Sequence, residues 1–294
     1  MMTYKILVPI DAFDEHITEL ASTVNNLCIH VDSRLQLLHV LPDLEDIDAE
    51  EINENLQDAD ELLSDFAALL DCPDDQIERH IQMGVPESEI IKRVIIGRAD
   101  VVVMPTRAKK GIDRLLLGSV TEHIMRHAHC PVVSTRKQVE VQQPGDKEIA
   151  KILVPLDGSI ESASIIPTVV DFAKTHRSEV ILFHDEQGAK EDEFVDSGKS
   201  TAGSLKRVME NISEQGIKVS IEKSKYSDPA EEILQKVEDL GTDMVAMTTH
   251  GRTGLSRLVF GSVAEKVLHK STCPVLTISI SPTHSIDYEE KYLG

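Results

Sequence analysis

The sequence contains no tryptophan, and aromatic residues make up only 3% of its 294 positions. With so few aromatic side chains, the chain lacks a platform on which the bases of a single-stranded nucleic acid could stack. Basic residues are also outnumbered, at 30 Lys and Arg against 51 Asp and Glu, which gives a net charge of −21. Because phosphate neutralisation needs a basic face, this composition argues against binding of duplex nucleic acid.

Long apolar runs are missing as well, and cysteines are sparse. No stretch of about 18 apolar residues occurs, so we expect no membrane-spanning helix. The strand-like run Ile6–Pro9 begins so early that the sequence predicts no signal peptide. The four cysteines, Cys28, Cys72, Cys130 and Cys273, lie far apart and form no CxxC pair. This spacing fits a reducing compartment, and we therefore expect a cytoplasmic protein.

The negative charge is concentrated in residues 43–75, which contain fourteen Asp and Glu and no Lys or Arg. The same segment carries apolar residues spaced by three or four positions, at Ile52, Leu56, Ala59, Leu63, Phe66 and Leu70. Such spacing predicts an amphipathic helix whose acidic outer face is solvated. The alternative interpretation is a docking surface for a basic partner.

The two halves of the sequence repeat one another. The recurring segments, first half then second, are Lys5–Asp11 with Lys151–Asp157, Ala99–Met104 with Thr242–Met247, Leu117–Val120 with Phe260–Val263, and Cys130–Val133 with Cys273–Leu276. The last three pairs share one separation, 143 positions, which indicates a duplicated domain. We predict a first domain at 1–137, a linker at 138–149, a second domain at 150–281 and a C-terminal tail at 282–294.

Each half alternates short apolar runs with segments of helical period. The strand-length runs are 5–10, 34–40, 77–82, 100–104 and 131–135 in the first half, and 151–156, 179–184, 217–222, 243–247 and 274–279 in the second. Runs that are apolar throughout are typical of strands covered on both faces. Strand–helix alternation of this kind predicts a parallel sheet with right-handed crossovers. Pro167 should bend, without removing, the helix that follows Asp157.

The loop after the fourth run of the second half carries the strongest chemical signal. Gly251 follows the strand, and nine residues separate it from Gly261, so the backbone at both ends of the loop is accessible to a ligand. Ser262 and Glu265 form an S-x-x-E pattern that predicts a helix capping box, and the first half repeats the pattern from Ser119. A helix N-terminus preceded by glycine is also a ready anion site.

Taken together, these motifs resemble the universal stress protein family. The resemblance is carried by the opening VPxD, the central TD-x-V-x-M, the THG loop followed by GSVAEKV, and the closing CPVL, and it covers nearly all of both halves. It implies an α/β fold of two tandem Rossmann-like domains, each a five-stranded parallel sheet in the order 3-2-1-4-5 with helices on both faces. In that order the glycine loop lies beside the end of strand 1, where open α/β sheets bind ligands.

Nucleotide-binding members of the family carry G-x-x-G, nine residues, and then G-[S/T]. The resemblance therefore implies an adenine nucleotide (ATP, AMP or ADP, with Mg²⁺ or Mn²⁺) in the second domain. The triphosphate would lie against the glycine loop and the start of the following helix, with the adenosine near Pro155 and Asp157. The implied binding residues are Pro155, Asp157, Thr248, Gly251, Arg252, Thr253, Gly254, Gly261, Ser262 and Val263.

Both halves depart from the family pattern. In the second half, Thr248 stands where the first glycine belongs, and Asp185 stands where nucleotide binders offer an apolar residue near adenine. In the first half both leading glycines are lost, and Pro105 begins the loop. We therefore expect the first half to be a mainly structural partner. An anion site in this half stays an alternative, because the loop carries three basic residues, Arg107, Lys109 and Lys110.

Other motifs favour structural interpretations. Gly198–Ser200 has the end of a phosphate-binding P-loop without its first glycine or a preceding strand. His123 and His127 are one helical turn apart, but no glutamate completes an HExxH metal site. For His39 and His184, at equivalent strand ends, we expect burial and a hydrogen bond to the backbone.

The expected function is that of a nucleotide-dependent stress-response regulator rather than an enzyme. The alternatives are a scaffold that binds no nucleotide and acts through protein contacts, and a slow ATPase. Runs 131–135 and 274–279 would form sheet edges, and exposed apolar edges tend to be paired. The resemblance implies that these edges pair as an intramolecular pseudo-dimer, and it leaves open whether the chain also forms a homodimer.

Overall fold

A computed structural model of the chain divides into two compact units, residues 1–147 and residues 148–294. The structure describes residues 3–11, 17–29, 31–43, 48–106, 117–135, 148–185, 201–224, 228–249 and 260–279.

The first unit alternates strands and helices. Its elements are β1 (Tyr4–Pro9), α1 (Ile17–Cys28), β2 (Ser33–Leu41), α2 (Ala49–Ala67), β3 (Ile77–Met83), α3 (Pro86–Gly97), β4 (Val101–Pro105), α4 (Ser119–His127) and β5 (Val132–Thr135). The strands pair in the order β3-β2-β1-β4-β5, and every pair is parallel. This is the predicted order, and all residues of β4 and β5 are buried, as expected for strands covered on both faces.

The second unit repeats this arrangement. Its elements are β6 (Lys151–Leu156), α5 (Ile160–Ala163), α6 (Ile166–His176), β7 (Glu179–Asp185), α7 (Thr201–Glu214), β8 (Val219–Ser224), α8 (Pro229–Leu240), β9 (Met244–Thr248), α9 (Ser262–Lys270) and β10 (Val275–Ile278). The strands pair in the order β8-β7-β6-β9-β10, again all parallel. The predicted α/β class and the sheet order within each half are therefore confirmed.

Two predictions about the second unit were wrong in detail. The strand expected at 217–222 is β8, which begins two residues later because its ladder pairs Val180 of β7 with Val219. The helix expected to bend at Pro167 is instead two helices, α5 and α6. Pro167 lies in the first turn of α6, where the missing backbone N–H costs nothing.

The acidic segment forms the predicted helix, α2. Asp48 caps it, because its carboxylate accepts hydrogen bonds from the backbone N–H groups of Glu50 and Glu51, both at 3.0 Å. Leu63 and Phe66 are fully buried in the core, whereas Leu56 remains 36% exposed. The helix is therefore anchored through its C-terminal half, and its acidic side chains face the solvent.

The repeated lysine and aspartate motifs stabilise the amino edge of each sheet. The carboxylate of Asp100 accepts from the backbone N–H of Lys5 at 2.8 Å, and that of Asp243 accepts from Lys151 at 2.9 Å. The Lys151 ammonium also donates to the carbonyl of Leu240 at 2.9 Å, at the C-terminus of α8, where a cation is favourable. These motif residues therefore have a structural role, at the edge opposite the glycine loops.

Candidate functional site

In the second unit, strand order reverses between β6 and β9, whose carboxyl ends share one edge of the sheet. The register pairs Ile152 of β6 with Met244 of β9, and Leu153 with Val245. Pro155, in β6, and Asp157, just after it, therefore lie toward the same edge of the sheet as the end of β9. Ligands of open α/β sheets bind at such a reversal point.

The chain leaves β9 at Thr249 and returns at Gly261. The Gly261 N–H donates to the carbonyl of Thr249 at 2.9 Å, which brings the start of α9 directly to the end of β9. Thr249 is fully buried, and its backbone N–H donates to the carbonyl of Ile278 in β10 at 3.3 Å. The predicted residues Gly251–Gly254 lie outside the described residues.

The first turn of α9 is not capped as the sequence predicted. Gly261 is the cap residue (φ −63°, ψ 140°), and Ser262 is already the first helical residue, so its hydroxyl does not close a capping box. The Glu265 N–H donates instead to the carbonyl of Gly261 at 2.9 Å. The S-x-x-E prediction is therefore wrong for α9, and likewise for α4, where Gly118 caps the helix. Because glycine has no side chain, the cap residue itself offers no side-chain acceptor to the first N–H groups of either helix.

Asp157 lies in a tight turn directly after β6. One of its carboxylate oxygens accepts from the Ser159 N–H at 2.9 Å and from the Ser159 hydroxyl at 2.6 Å. Gly158 between them has a φ of +91°, a conformation that favours glycine. These bonds fix the orientation of the Asp157 carboxylate at the edge that α9 faces. In the first unit the residue after Asp11 is Ala12 rather than glycine.

The remaining predicted residues differ in exposure. Thr248, the last residue of β9, is buried, whereas Pro155 and Val263 are half-buried and Ser262 is exposed. The fold thus brings the described members of the predicted set to one edge, where the Ser262 residue is exposed to the solvent.

Ion pairs tie the second turn of α9 to α8. The Lys266 ammonium lies 2.8 Å from a carboxylate oxygen of Asp228 and 2.8 Å from one of Glu231, which Lys270 also contacts at 2.9 Å. Hydrogen bonding to Lys266 lowers the pKa of both carboxyls, and the same bonds raise the pKa of Lys266. The charges of Lys266 and Lys270 on α9 are therefore paired with acidic residues of α8 and its cap.

In the first unit a threonine hydroxyl connects the first turn of α4 to the sheet. The Thr121 hydroxyl on α4 donates to the carbonyl of Pro105 at 3.0 Å, which fastens the helix to the end of β4. The second unit has Ala264 at that position. Sequence reasoning missed Thr121, since a threonine in a first helical turn gives no signal of a long-range partner. The basic residues predicted to leave an anion site open here, Arg107, Lys109 and Lys110, lie outside the described residues.

Two histidines support the carboxyl edges of the sheets. The Nδ1 atom of His39 lies 2.8 Å from the carbonyl of Ile10, and that of His184 lies 3.0 Å from the carbonyl of Leu156. A carbonyl only accepts, so Nδ1 carries the proton in both rings. The predicted backbone bond is confirmed for both residues; His184 is buried, and His39 is half-buried.

His123 and His127 of α4, the pair considered as metal ligands, contact each other. The rings of His123 and His127 stack with their centroids 4.1 Å apart, and Nδ1 of His127 lies 2.8 Å from the carbonyl of His123. Within the described residues, no group of three or more His, Cys, Asp or Glu is arranged to hold a metal ion. The P-loop-like run 198–200 lies outside the described residues.

Comparison with known proteins gives a consistent assignment. The family model described as "Universal stress protein family" matches residues 2–136 and 148–279, once in each unit. The chain belongs to the universal stress protein family. The resemblance drawn from the sequence motifs is thereby confirmed, as is the tandem arrangement of two universal stress protein domains.

Two curated relatives and one solved structure show the extent of the similarity. A universal stress protein of Methanocaldococcus jannaschii is 32% identical over 146 residues, which cover 46% of this chain and 84% of that protein. One from Mycobacterium bovis is 29% identical over 188 residues, and the match spans only 62% of its length. The crystal structure of a universal stress protein from Archaeoglobus fulgidus superimposes with a TM-score of 0.69 at 23% identity, covering 95% of this chain and 99% of that one. No helix in the described ranges is long and apolar enough to cross a membrane.

Proposed function

We propose that the second universal stress protein domain binds an adenine nucleotide, ATP, ADP or AMP, and that the chain acts as a nucleotide-dependent regulator rather than as an enzyme. The phosphates would lie against Gly251, Arg252 and the start of α9, and the adenosine near Pro155 and Asp157. A divalent ion, Mg²⁺ or Mn²⁺, would enter with the phosphates, because these ions are held largely by phosphate oxygens.

The start of α9 carries this proposal. A nine-residue helix begins there behind a glycine cap, which has no side chain of its own to bind the first N–H groups, at the edge where the strand order reverses. Backbone N–H groups and the helix dipole together favour an anion at such a position. The turn at Asp157 holds an oriented carboxylate just after the neighbouring strand β6, suited to hydroxyl donors such as those of a ribose.

The first domain offers the weaker site. Its helix α4 also begins behind a glycine cap, at Gly118, but the sequence has lost both leading glycines of the loop. The hydroxyl of Thr121 also fastens α4 to β4, a bond that Ala264 does not provide in the second domain. We therefore propose that nucleotide binding is asymmetric, with the first domain mainly structural.

Matched substitutions test the site. Gly261→Val should abolish binding of ATP and AMP in calorimetric titration, because a branched side chain at the cap would block phosphate from the first turn of α9. Gly118→Val makes the same change at the equivalent cap of α4 and should leave the affinity of the second domain unchanged. Equal loss from both variants, or no binding by the wild-type chain, would refute the proposal. A phosphate-release assay on the wild-type chain distinguishes a slow ATPase, which would release phosphate from ATP, from a regulator that only binds the nucleotide.

A second candidate function is a scaffold that acts through α2. The acidic side chains of this helix face the solvent over its whole length, and no Lys or Arg occurs in residues 43–75. A basic partner would find a surface there that carries many acidic and no basic side chains. The predicted domain boundaries, the pairing of the two domains within the chain and the cytoplasmic location stay predictions.

A further inference from the structure

A histidine of the first domain contacts two charged side chains through the same nitrogen atom. The Nε2 atom of His80, in β3, lies 2.6 Å from an Nη atom of Arg93 in α3 and 3.3 Å from a carboxylate oxygen of Glu78 in β3. The side chains of His80 and Arg93 are only 23% and 17% exposed. These three residues, which we call the His80 cluster, therefore connect α3 to β3 in a half-buried setting.

The two contacts require opposite states of that nitrogen. A guanidinium only donates hydrogen bonds, so Arg93 binds Nε2 of His80 only when this atom carries no proton. A carboxylate only accepts, so Glu78 binds Nε2 only when the atom is protonated. The distance to Arg93 is the shorter of the two, which assigns the neutral ring, with its proton on Nδ1. Uptake of a proton would exchange one partner for the other.

The surrounding charges favour the neutral ring at neutral pH. Burial and the positive charge of Arg93 lower the pKa of His80, and the carboxylate of Glu78 opposes them. Arg34 of β2 lies 3.2 Å from the second carboxylate oxygen of Glu78, and Arg93 lies 3.4 Å from the first. Because two guanidiniums share this carboxylate, its pull on a proton at His80 is weakened.

Other charged groups near the cluster have partners of their own. Glu89, one turn before Arg93 on α3, lies 2.5 Å from the ammonium of Lys92. The ammonium of Lys5, on β1, lies 3.4 Å from the carbonyl of Gly97 at the end of α3. The two charged side chains at Nε2 therefore dominate its protonation.

The guanidinium of Arg93 also connects α3 to the neighbouring strand β2. Its Nε atom donates to the side-chain oxygen of Gln36 at 3.1 Å, and the amide of Gln36 donates to the carbonyl of Gly97 at 3.2 Å. Gln36 is only 3% exposed. The position of the guanidinium therefore affects how α3 packs on both strands.

The second domain closes the equivalent contact without a histidine. His80 pairs with the residue before His39, and Glu222 pairs with the residue before His184, which lies at the equivalent strand end. Lys236 of α8 follows the α3 arginine by 143 positions, and its ammonium lies 2.9 Å from the carboxylate of Glu222. Both groups of this ion pair stay charged between pH 7.5 and 5. The fold therefore does not require a group that titrates in this range.

We propose that the His80 cluster is a proton-operated clamp, through which acid loosens α3 from β3 in the first domain. At neutral pH, Arg93 donates to the neutral ring and holds the helix on the strand. When Nε2 takes up a proton it donates to Glu78 instead, and the positive charges of His80 and Arg93 then repel each other at close range.

The direction of the pH effect follows from the lowered pKa of His80 in the closed clamp. Above pH 6.5 the ring is neutral whether the clamp is closed or open, so pH has no effect on it. As the pH falls below 6.5, the ring takes up a proton more readily in the open state, where Arg93 and burial no longer oppose the charge. Acid therefore favours the open state, until the pH passes the lower pKa of the closed one.

Hydrogen exchange of the full-length chain, followed by mass spectrometry, tests the clamp. In the wild type, the protection of the peptide that spans α3 should fall at least about threefold between pH 7.5 and 5, after correction for the intrinsic pH dependence of exchange. The upper bound is about tenfold for each pH unit below 6.5, since one proton is taken up on opening. The peptide that spans α8, where an ion pair replaces the clamp, should keep its protection and serves as the internal reference.

The matched variant installs the residues of the second domain. Glu78→Ser with His80→Glu reproduces the pair Ser220 and Glu222. Its α3 peptide should show the same protection at both pH values, because a glutamate that faces an arginine stays ionised. His129→Glu makes the same change at an exposed histidine of the first domain and should keep the wild-type loss of protection.

Three results would overturn the proposal. One is an α3 peptide whose protection in the wild type does not change with pH, or falls equally in the Glu78→Ser, His80→Glu variant. Another is an equal loss in the α8 peptide, which would assign the effect to unfolding of the whole chain. The third is a nitrogen-15 NMR spectrum in which Nε2 of His80 carries a proton at pH 7.5.

Discussion

Replacing His176 by leucine should remove a large part of the acid sensitivity of the second domain. His176 is the last residue of α6 and is only 4% exposed, with the ring of Phe172 at a centroid distance of 4.1 Å. Burial lowers the pKa of His176 from 6.5 to about 4. The position itself would favour a charged histidine, because the C-terminus of a helix attracts cations.

The two effects can be compared in magnitude. A cation at an exposed helix C-terminus gains about 0.3–1 kcal/mol, and at most about 2 kcal/mol when partly buried. The pKa shift from 6.5 to about 4 corresponds to about 3 kcal/mol in the free energy of unfolding, at about 1.4 kcal/mol per pKa unit. Desolvation therefore outweighs the helix dipole, and the folded domain holds the ring neutral.

The sign of the pH dependence follows because the pKa of His176 is lower in the folded domain, about 4, than in the unfolded chain, 6.5. Above pH 6.5 the histidine is neutral in both the folded and the unfolded states and adds no pH dependence. As the pH falls from about 6.5 toward 4, the unfolded chain takes up a proton that the folded chain does not. The domain should lose up to about 3 kcal/mol of stability across that window, with no further loss from this residue below it.

Urea unfolding followed by far-ultraviolet circular dichroism at several pH values between 7.5 and 4 measures this effect. The stability of His176→Leu should fall less steeply with acid than that of the wild type. His129→Leu, at an exposed histidine of the first domain, should follow the wild-type profile. Parallel profiles for His176→Leu and the wild type would refute the reasoning, as would an NMR titration that puts the His176 pKa near 6.5.

Two further substitutions test packing and surface charge. Gly97→Ala should lower the free energy of unfolding by roughly 1–3 kcal/mol, because its Cβ would lie 2.1 Å from the side-chain oxygen of Gln36, which is only 3% exposed. Combined with Gln36→Ala in urea unfolding, the two losses should be less than additive, and strict additivity would contradict a direct clash. The other variant changes four exposed acids of α2 to glutamine, at Glu50, Glu54, Asp58 and Glu61. At low salt it should gain a few tenths of a kcal/mol per relieved helical pair, and added salt should mask the gain. A gain that persists in high salt would contradict this explanation, and selective loss of a basic partner in a pull-down would favour the scaffold function.

Much of the fold could be predicted from the sequence because its signals are local or repeated. The apolar runs around Ile6 and Ile152 are continuous, which indicates strands buried on both faces, and their recurrence indicates duplication. Spacing alone predicted a helix within residues 43–75, where the structure has α2. The loop between Gly251 and Gly261 could likewise be singled out, since its glycines and the following helix are adjacent in sequence.

Details of the site depended on the exact start of one helix. The S-x-x-E pattern predicted a capping serine at position 262, but the Thr249–Gly261 backbone bond begins α9 one residue earlier, with glycine as the cap. A pattern of four consecutive residues carries no information about a hydrogen bond whose two partners, Thr249 and Gly261, are twelve positions apart in the chain. That one-residue difference makes the cap of α9 a glycine, which has no side-chain acceptor of its own.

The duplication and the class of fold were determined by the sequence itself, because both are encoded in residues close together along the chain. Only the tertiary structure decided which polar side chains are buried and which apolar side chains are exposed, contrary to what their residue types indicate. His176 ends an ordinary helix yet is buried beside Phe172, while Ile95 and Ile96 continue an apolar helix yet face the solvent. Burial depends on which distant elements pack against a helix face, and that information is distributed over the whole chain rather than held in any one segment.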